Sequence, residues 1–148
     1  MQRAVRMNTR IGLLRPLLCG VDLFMATVAM GCGIALIAHP QDALGMTLEM
    51  LRGSPFATFT IPGVLLAGVI GGFYLIAGLL VLRRHQLGVL ASGAAGIALM
   101  TWIAVQVSMV PSHPMQPAMF AYGFVTAVLA AIALWLEKGR MPAANPSV

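Results

Sequence analysis

Charged side chains divide this chain into long apolar stretches joined by short polar segments. No Asp, Glu, Lys or Arg occurs from Gly53 to Leu82, and none occurs from Gln86 to Leu136. An α-helix needs about 20 mostly apolar residues to cross the hydrocarbon core of a bilayer. Four stretches have about that length, at residues 17–38, 61–82, 87–110 and 118–136. The pattern predicts an all-α membrane protein with four transmembrane helices.

The composition agrees with that interpretation and argues against one function class. Of 148 residues, 59% are hydrophobic and 9% are charged, with a mean hydropathy of +0.91, whereas about 25% of residues are charged in typical soluble domains. The formal net charge of +5 would suggest nucleic acid binding in a soluble protein, but basic residues that flank membrane spans account for it here. We therefore expect a lipid bilayer, and no nucleic acid, as a partner of this chain.

The basic residues also predict an orientation, because cytoplasmic loops of membrane proteins are enriched in Lys and Arg. Eight of the nine basic residues fall in the N-terminal segment, the connection between spans two and three, and the C-terminal tail. The exception is Arg52, between spans one and two. The prediction is a multi-pass protein of the bacterial inner membrane, with a basic cytoplasmic N-terminus (1–16), a four-span bundle (17–136) and a disordered cytoplasmic tail (137–148).

The connection between spans one and two is predicted to hold a short helix in the outer membrane interface. Leu44, Leu48 and Leu51 recur there at helical spacing. Pro40 precedes them and Gly53 follows them, as is typical of the start and stop of a helix. A helix with one apolar face can lie in the plane of the interface.

Small residues at four-residue steps predict where the helices pack closely. Such ridges allow the backbones of membrane helices to approach one another. They serve packing within one chain or contact with another subunit, and the sequence leaves both uses open. The predicted ridge residues are Ala29, Gly33, Gly68, Gly72, Gly88, Ser92 and Gly96.

Asp22 is the only formally charged residue inside a predicted span, about 8 Å from its inner end at 1.5 Å per residue. An acid within the membrane is a functional hypothesis by default, because an unpaired carboxylate there is costly. Tyr74 and Ser92 fall at a similar depth, so a polar cluster that binds a proton or a cation is one interpretation. The alternative is that Asp22 stays near the headgroups and pairs with Arg15 or Arg84.

Trp102, Gln106 and Tyr122 form a polar and aromatic group toward the outer ends of spans three and four. Tryptophan and tyrosine are enriched at membrane interfaces, where they anchor helices. Gln106 is suited to a hydrogen bond between helices, typically worth about 1 kcal/mol. A site for a quinone or a lipid headgroup would use the same residue types, and this interpretation remains open.

The eleven methionines raise the question of a metal site. Met109, Met115 and Met119 bracket the outer connection between spans three and four, together with His113. Thioethers and imidazole bind Cu(I), but methionine is also an ordinary filler of apolar cores. We expect these residues to be core and loop residues, and we expect no cofactor.

Two segments carry a resemblance to a known group of proteins. The first is the run SPFATFTIPG at Ser54–Gly63, followed by a glycine-rich span; the second is AGIALMTWIAVQ at Ala95–Gln106, followed by Gln116 and Pro117 at the start of the last span. Over about residues 54–125 the chain resembles small uncharacterised bacterial membrane proteins with four predicted helices. That family has no assigned activity, so the resemblance implies a fold and no catalytic or cofactor-binding residue.

The sequence contains no motif that specifies a reaction, and no catalytic residue is predicted. The first hypothesis is a non-catalytic accessory or scaffold subunit, which packs against a larger membrane complex or against copies of itself. The alternative is a small proton-coupled or cation transporter centred on Asp22. A third hypothesis is an outward-facing Cu(I) or quinone site that uses Met109, His113, Met115 and Gln106.

Overall fold

A computed structural model describes residues 2–139 except 43 and 112, with the backbone alone for residues 2–12. Four helices are long and apolar enough to cross a membrane, and no strand occurs in the described part of the chain. They are α1 (Gln2–Ala38), α2 (Thr60–Leu82), α3 (Gly88–Met109) and α4 (Met115–Lys138). The prediction of an all-α protein with four spans is confirmed.

Helices α1 and α4 extend furthest beyond the predicted spans. Helix α1 begins at Gln2, so the basic N-terminal segment is helical and continues through the exposed Pro16 into the apolar stretch from Leu13 to Ala38. Helix α4 continues to Lys138, within the segment that was predicted to be a disordered tail. The rest of that predicted tail, residues 140–148, lies outside the described residues.

The helices form a bundle in which each packs against the next along the chain, and α1 also packs against α4. Both ends of the described chain and the α2–α3 connection lie at one end, called the inner end here after the predicted orientation. The α1–α2 and α3–α4 connections lie at the outer end. Buried side chains line the interior, and large apolar side chains such as Phe24, Ile76 and Phe124 face outward, as lipid contact requires.

Glycine makes the closest helix crossings possible. A methyl group added at Gly33 of α1 would come within 2.6 Å of the Gly63 carbonyl oxygen and the Ala67 side chain of α2. A methyl group added at Gly96 of α3 would come within 2.6 Å of the Gly123 carbonyl oxygen of α4. Any larger side chain would force these backbones apart, so these crossings depend on the absence of a Cβ atom.

The predicted ridge on span two lies on the outward face of α2, so only its use in packing within the chain is excluded. Gly68 and Gly72 have no neighbouring atom within 4 Å where a side chain would begin, so they do not pack against the described part of the chain. Gly63, Ala67 and Gly71 form the inward ridge instead, one residue earlier in each step. This part of α2, Leu65–Gly71, is a π-helix, whose i→i+5 hydrogen bonds change the rotation per residue from that of an α-helix.

The other predicted ridge residues lie inside the bundle. Ala29 is buried in α1, and Ser92 and Gly96 are buried in α3. Gly88 lies where α3 leaves the inner connection, and a methyl group there would meet the backbone of Leu80 and Val81.

The α1–α2 connection packs Leu51 onto the outer end of the bundle, whereas Leu44 and Leu48 are exposed. Its only helical element among the described residues is a 3₁₀-helix, Leu48–Leu51, shorter than the predicted helix. Leu44, Gly45 and Gly53 have positive φ angles of 57°, 77° and 94°, which bend the chain where a continuous helix would run. Whether this segment lies in a membrane interface remains a prediction.

Candidate functional site

Asp22 lies wholly inside the bundle, on the face of α1 that packs against α2 and α3. Its side chain has 0% exposure. The Ser92 hydroxyl of α3 donates a hydrogen bond to Oδ2 of Asp22 at 2.5 Å, with the Gly88 carbonyl oxygen 3.2 Å from the same hydroxyl. The other carboxyl oxygen, Oδ1, has no hydrogen-bond partner among the described residues. A buried acid with one free oxygen is unusual, because buried polar atoms are nearly always paired.

Helix α2 contributes a second unpaired polar atom to the same region. Tyr74 has 0% exposure, and its hydroxyl has no hydrogen-bond partner among the described residues. One turn further along α2, a methyl group at Gly78 would lie 3.3 Å from the Cβ atom of Asp22 and 2.8 Å from Leu23. Glycine at this position therefore lets α1 and α2 approach closely beside the acid.

Helix α4 closes the cluster with two hydroxyl groups. The Tyr122 hydroxyl donates a hydrogen bond to the Val21 carbonyl oxygen at 2.8 Å, next to Asp22 along α1. The buried Thr126 lies near the Tyr74 hydroxyl, but its own hydroxyl donates to the Tyr122 carbonyl oxygen at 2.9 Å. All four helices thus place a polar side chain in one buried region, here called the Asp22 cluster: Asp22, Tyr74, Ser92, Tyr122 and Thr126.

No basic side chain in the described part of the chain pairs with Asp22. Arg15 instead forms a half-buried ion pair with Glu137 of α4, with Nε and Nη2 at 3.0 and 2.8 Å from Oε1. Arg84 is exposed in the α2–α3 connection. Asp22 is therefore not paired with Arg15 or Arg84, and it is buried about 10 Å further along α1 than Arg15. Its depth relative to the headgroups stays a prediction.

Apolar side chains separate the Asp22 cluster from both ends of the bundle. Toward the outer end, Met25 and Leu99 belong to one buried cluster. Toward the inner end, Leu18, Val81 and Val89 belong to another. Asp22 is therefore shut off from solvent on both sides in this conformation.

A cavity of about 320 Å³ opens beyond Met25, toward the outer end. That volume is at the lower end of the range for small-molecule sites. Trp102 and Gln106 line it, whereas Tyr122, which was grouped with them, reaches toward Val21 instead. The connections between helices also contribute to its wall, so this region is here called the outer cavity.

The residues of the copper hypothesis all line the outer cavity. Met109, His113, Met115 and Met119 lie in its wall, as do Met25, Met46 and Met50. Nδ1 of His113, however, accepts a hydrogen bond from the Met115 backbone N–H at 3.3 Å. In a neutral imidazole the proton then resides on Nε2, so His113 presents a donor where a metal would need a lone pair. Among the described residues, no group of three or more His, Cys, Asp or Glu is placed to hold a metal ion.

The sequence interpretation missed two residues of these sites. Thr126 is the one polar side chain between Tyr122 and Trp135, a signal that was available but unused. Gln116 is buried beneath the α3–α4 connection, where its side-chain oxygen accepts a hydrogen bond from the His113 N–H at 3.0 Å. Nothing in the spacing of residues distinguishes Gln116 from an ordinary loop glutamine.

Comparison with known proteins leaves these two sites to be interpreted on their own chemistry. No family model, no curated protein and no solved structure matches this chain.

Proposed function

We propose that this protein is a small proton-linked membrane transporter in which Asp22 binds the coupled proton. The observation that carries the proposal is the position of Asp22: wholly buried between four apolar helices, with one carboxyl oxygen bonded to Ser92 and the other unpaired. Ionisable residues inside a membrane bundle are costly to retain and mark ion pathways and proton relays.

The hydrogen bonds and charges around Asp22 fit a group that gains and loses a proton. Within the described chain no cation neutralises it, so the charged form is uncompensated. A proton on Oδ1 would remove the charge and supply a donor at the oxygen that has no partner. The Tyr74 hydroxyl, in the same region, is a second buried polar atom without a hydrogen-bond partner among the described residues.

The apolar layers on either side of Asp22 fit a transporter in a closed state. Alternating access requires that a central site open to one side at a time. The outer cavity already reaches Met25, three residues and about 4.5 Å along α1 from Asp22. Movement of the Met25 side chain, which is unbranched and adaptable, would connect the two.

A proton-flux assay tests the proposal. Purified protein is reconstituted into liposomes that contain a pH-sensitive dye, and a panel of neutral apolar carbonyl compounds and lipophilic cations is added under a pH gradient. We expect at least one solute to drive proton movement in the wild type and in Asp42→Asn, an exposed-loop control, but not in Asp22→Asn. Proton movement in Asp22→Asn equal to that of the wild type, with equal amounts of folded protein, would contradict the proposal.

An accessory or scaffold subunit is the second candidate, and Gly68 and Gly72 favour it. These glycines form a small-residue step that meets nothing in the described chain, as a contact with another membrane helix would require. Mild-detergent purification from native membranes tests this candidate. A larger membrane complex lost on Gly68→Leu but kept on Gly20→Leu would support it, since Gly20 is also open to its surroundings. Recovery of the chain alone would count against a larger complex.

We further propose that the protein resides in a bacterial inner membrane with both termini in the cytoplasm and has no enzymatic activity. Arg15, Arg83, Arg84 and Lys138 lie at the inner end, which supports this orientation. Reporter fusions at the C-terminus and after Gly53 test it. Cytoplasmic reporter activity at the C-terminus and periplasmic activity at residue 53 are the expected results.

A further inference from the structure

The outer cavity has the chemistry of a second site, separate from the Asp22 cluster. We propose that it binds a neutral lipid-soluble molecule with a flat ring that carries carbonyl groups, of the quinone class. Three features of the wall point to such a ligand: its lack of charge, its unpaired hydrogen-bond donors and its methionine-rich surface.

The wall selects a neutral ligand. Its described residues include no Asp, Glu, Lys or Arg. Placing an ion in such a cavity would leave its charge uncompensated, at a cost far above that of burying a neutral polar group. The polar residues present are amides, an indole, an imidazole and a thiol, which suit hydrogen bonds to an uncharged molecule.

The polar groups in the wall are mainly donors. The Trp102 indole has an N–H and no acceptor. The Gln116 side chain uses its oxygen to bind the His113 N–H, so its NH₂ group remains. His113 carries its proton on Nε2, as its accepting Nδ1 requires. Among the described residues none of these three donor groups has a protein acceptor, and carbonyl oxygens on a ligand would supply acceptors for them.

The apolar surface suits a flat ring. Six of the eleven methionines line the cavity, and their polarisable thioethers make favourable contacts with aromatic rings. Phe56 and Trp102 add aromatic surface, which stacks on or meets the edge of another ring. An acyl chain would fill the same volume but leave the donors unpaired, including that of Gln116, which is 8% exposed.

The two tryptophans make binding directly measurable. Trp102 lines the cavity, whereas Trp135 is 73% exposed on α4 near the inner end. In Trp135→Phe, the remaining fluorescence reports on the cavity alone. The full-length protein in lipid nanodiscs is titrated with a decyl-substituted benzoquinone, and Trp102→Phe serves as the control for quenching by quinone that has only dissolved in the lipid.

We expect saturable quenching of Trp102 and non-saturable quenching of Trp135. In the Trp135→Phe background, Gln106→Leu should weaken binding about three- to tenfold, the effect of one lost neutral hydrogen bond. Gln106 has no hydrogen-bond partner to lose among the described residues, so this variant keeps the test valid even if Gln116→Leu disturbs the α3–α4 connection. Gln86→Leu, in the exposed inner connection, should leave the affinity unchanged.

Three results would overturn the inference. The first is quenching that never saturates, or that saturates with the same affinity in Gln106→Leu and Gln116→Leu. The second is Cu(I) binding to the wild type that excludes the benzoquinone. The third is quenching of Trp102 by lipids with brominated acyl chains that the benzoquinone does not relieve. Asp22→Asn should bind the benzoquinone normally, so failure of this site and failure of the proposed proton site are distinguishable.

Discussion

The inner and outer halves of the bundle use polar side chains in opposite ways. Around Asp22, polar groups from four helices lie in a buried region, and Leu18, Val81 and Val89 close that region toward the inner end. Beyond Met25, the same helices diverge around the outer cavity, where polar groups face open volume. The inner half therefore depends on its packing and internal hydrogen bonds. In the outer half, a ligand would supply the missing packing contacts and hydrogen-bond partners.

Truncating a large side chain should give the largest difference between the two halves in the free energy of unfolding. Leu18 has 0% exposure in the inner half, so Leu18→Ala should lower the free energy of unfolding by about 2–5 kcal/mol. Met109 is half-buried and already borders open volume, so Met109→Ala should cost less than about 1 kcal/mol, since fewer packed contacts are lost. Unfolding by SDS in mixed micelles measures both. Equal losses would mean that the outer half is as tightly packed as the inner half.

Adding volume at a helix crossing should have the next largest effect. Gly96→Val would place a side chain against the Gly123 carbonyl oxygen and should cost about 1–3 kcal/mol. Gly68→Val is the matched control on the outward face of α2, where nothing lies within 4 Å. The same unfolding assay compares them. A destabilised Gly68→Val with an intact Gly96→Val would show that the assignment of inward and outward faces is reversed.

Removing a hydroxyl group tests the buried hydrogen bond of the inner half. Ser92→Ala would leave Oδ2 of Asp22 without its donor, which should cost about 1–2 kcal/mol. Ser108→Ala removes an exposed hydroxyl that bonds only to its own helix, at the Val105 carbonyl oxygen, and should not change stability measurably. If Ser92→Ala also leaves the free energy of unfolding unchanged, the Asp22–Ser92 hydrogen bond does not contribute to the stability of the fold.

The two ion pairs give the smallest expected contrast. Arg15 and Glu137 are each 26% exposed and join α1 to α4 at the inner end, so Arg15→Gln should cost about 1 kcal/mol or less. Arg52 and Glu49, 3.7 Å apart at the outer end, are 81% and 77% exposed, and Arg52→Gln should have no measurable effect. A double-mutant cycle at low and high salt measures each pair. A larger coupling for the outer pair would contradict the expected order.

The sequence predicted the helices well because their physical cause is local. A run of apolar residues long enough to cross the hydrocarbon core must satisfy its backbone hydrogen bonds as a helix, whatever its neighbours are. The burial of Asp22 was harder to predict. Its depth along the span could be counted, but whether it would pair with Arg15 depended on Glu137, which is distant from Arg15 in sequence and adjacent to it in space.

The packing faces and the outer cavity were harder to predict for geometric reasons. On α2, two small-residue ridges differ by one position, and only the π-helical turn at Leu65–Gly71 and the partner glycine at Gly33 show which one faces inward. The cavity is empty space between helices and two connections, so no residue spacing encodes it. Gln116 is distinguished only by the hydrogen bond that its side-chain oxygen accepts from the His113 N–H, which depends on the folded connection.

An infrared difference measurement on the protein in bilayers, made as the pH is changed, tests directly whether Asp22 gains and loses a proton. We expect a carbonyl band of a buried protonated carboxyl group that appears and disappears reversibly. The band should be absent from Asp22→Asn, kept in Asp42→Asn, and shifted in frequency by Ser92→Ala, which removes its hydrogen bond. A spectrum of Asp22→Asn identical to that of the wild type at every pH would contradict the claim that Asp22 exchanges a proton inside the bundle.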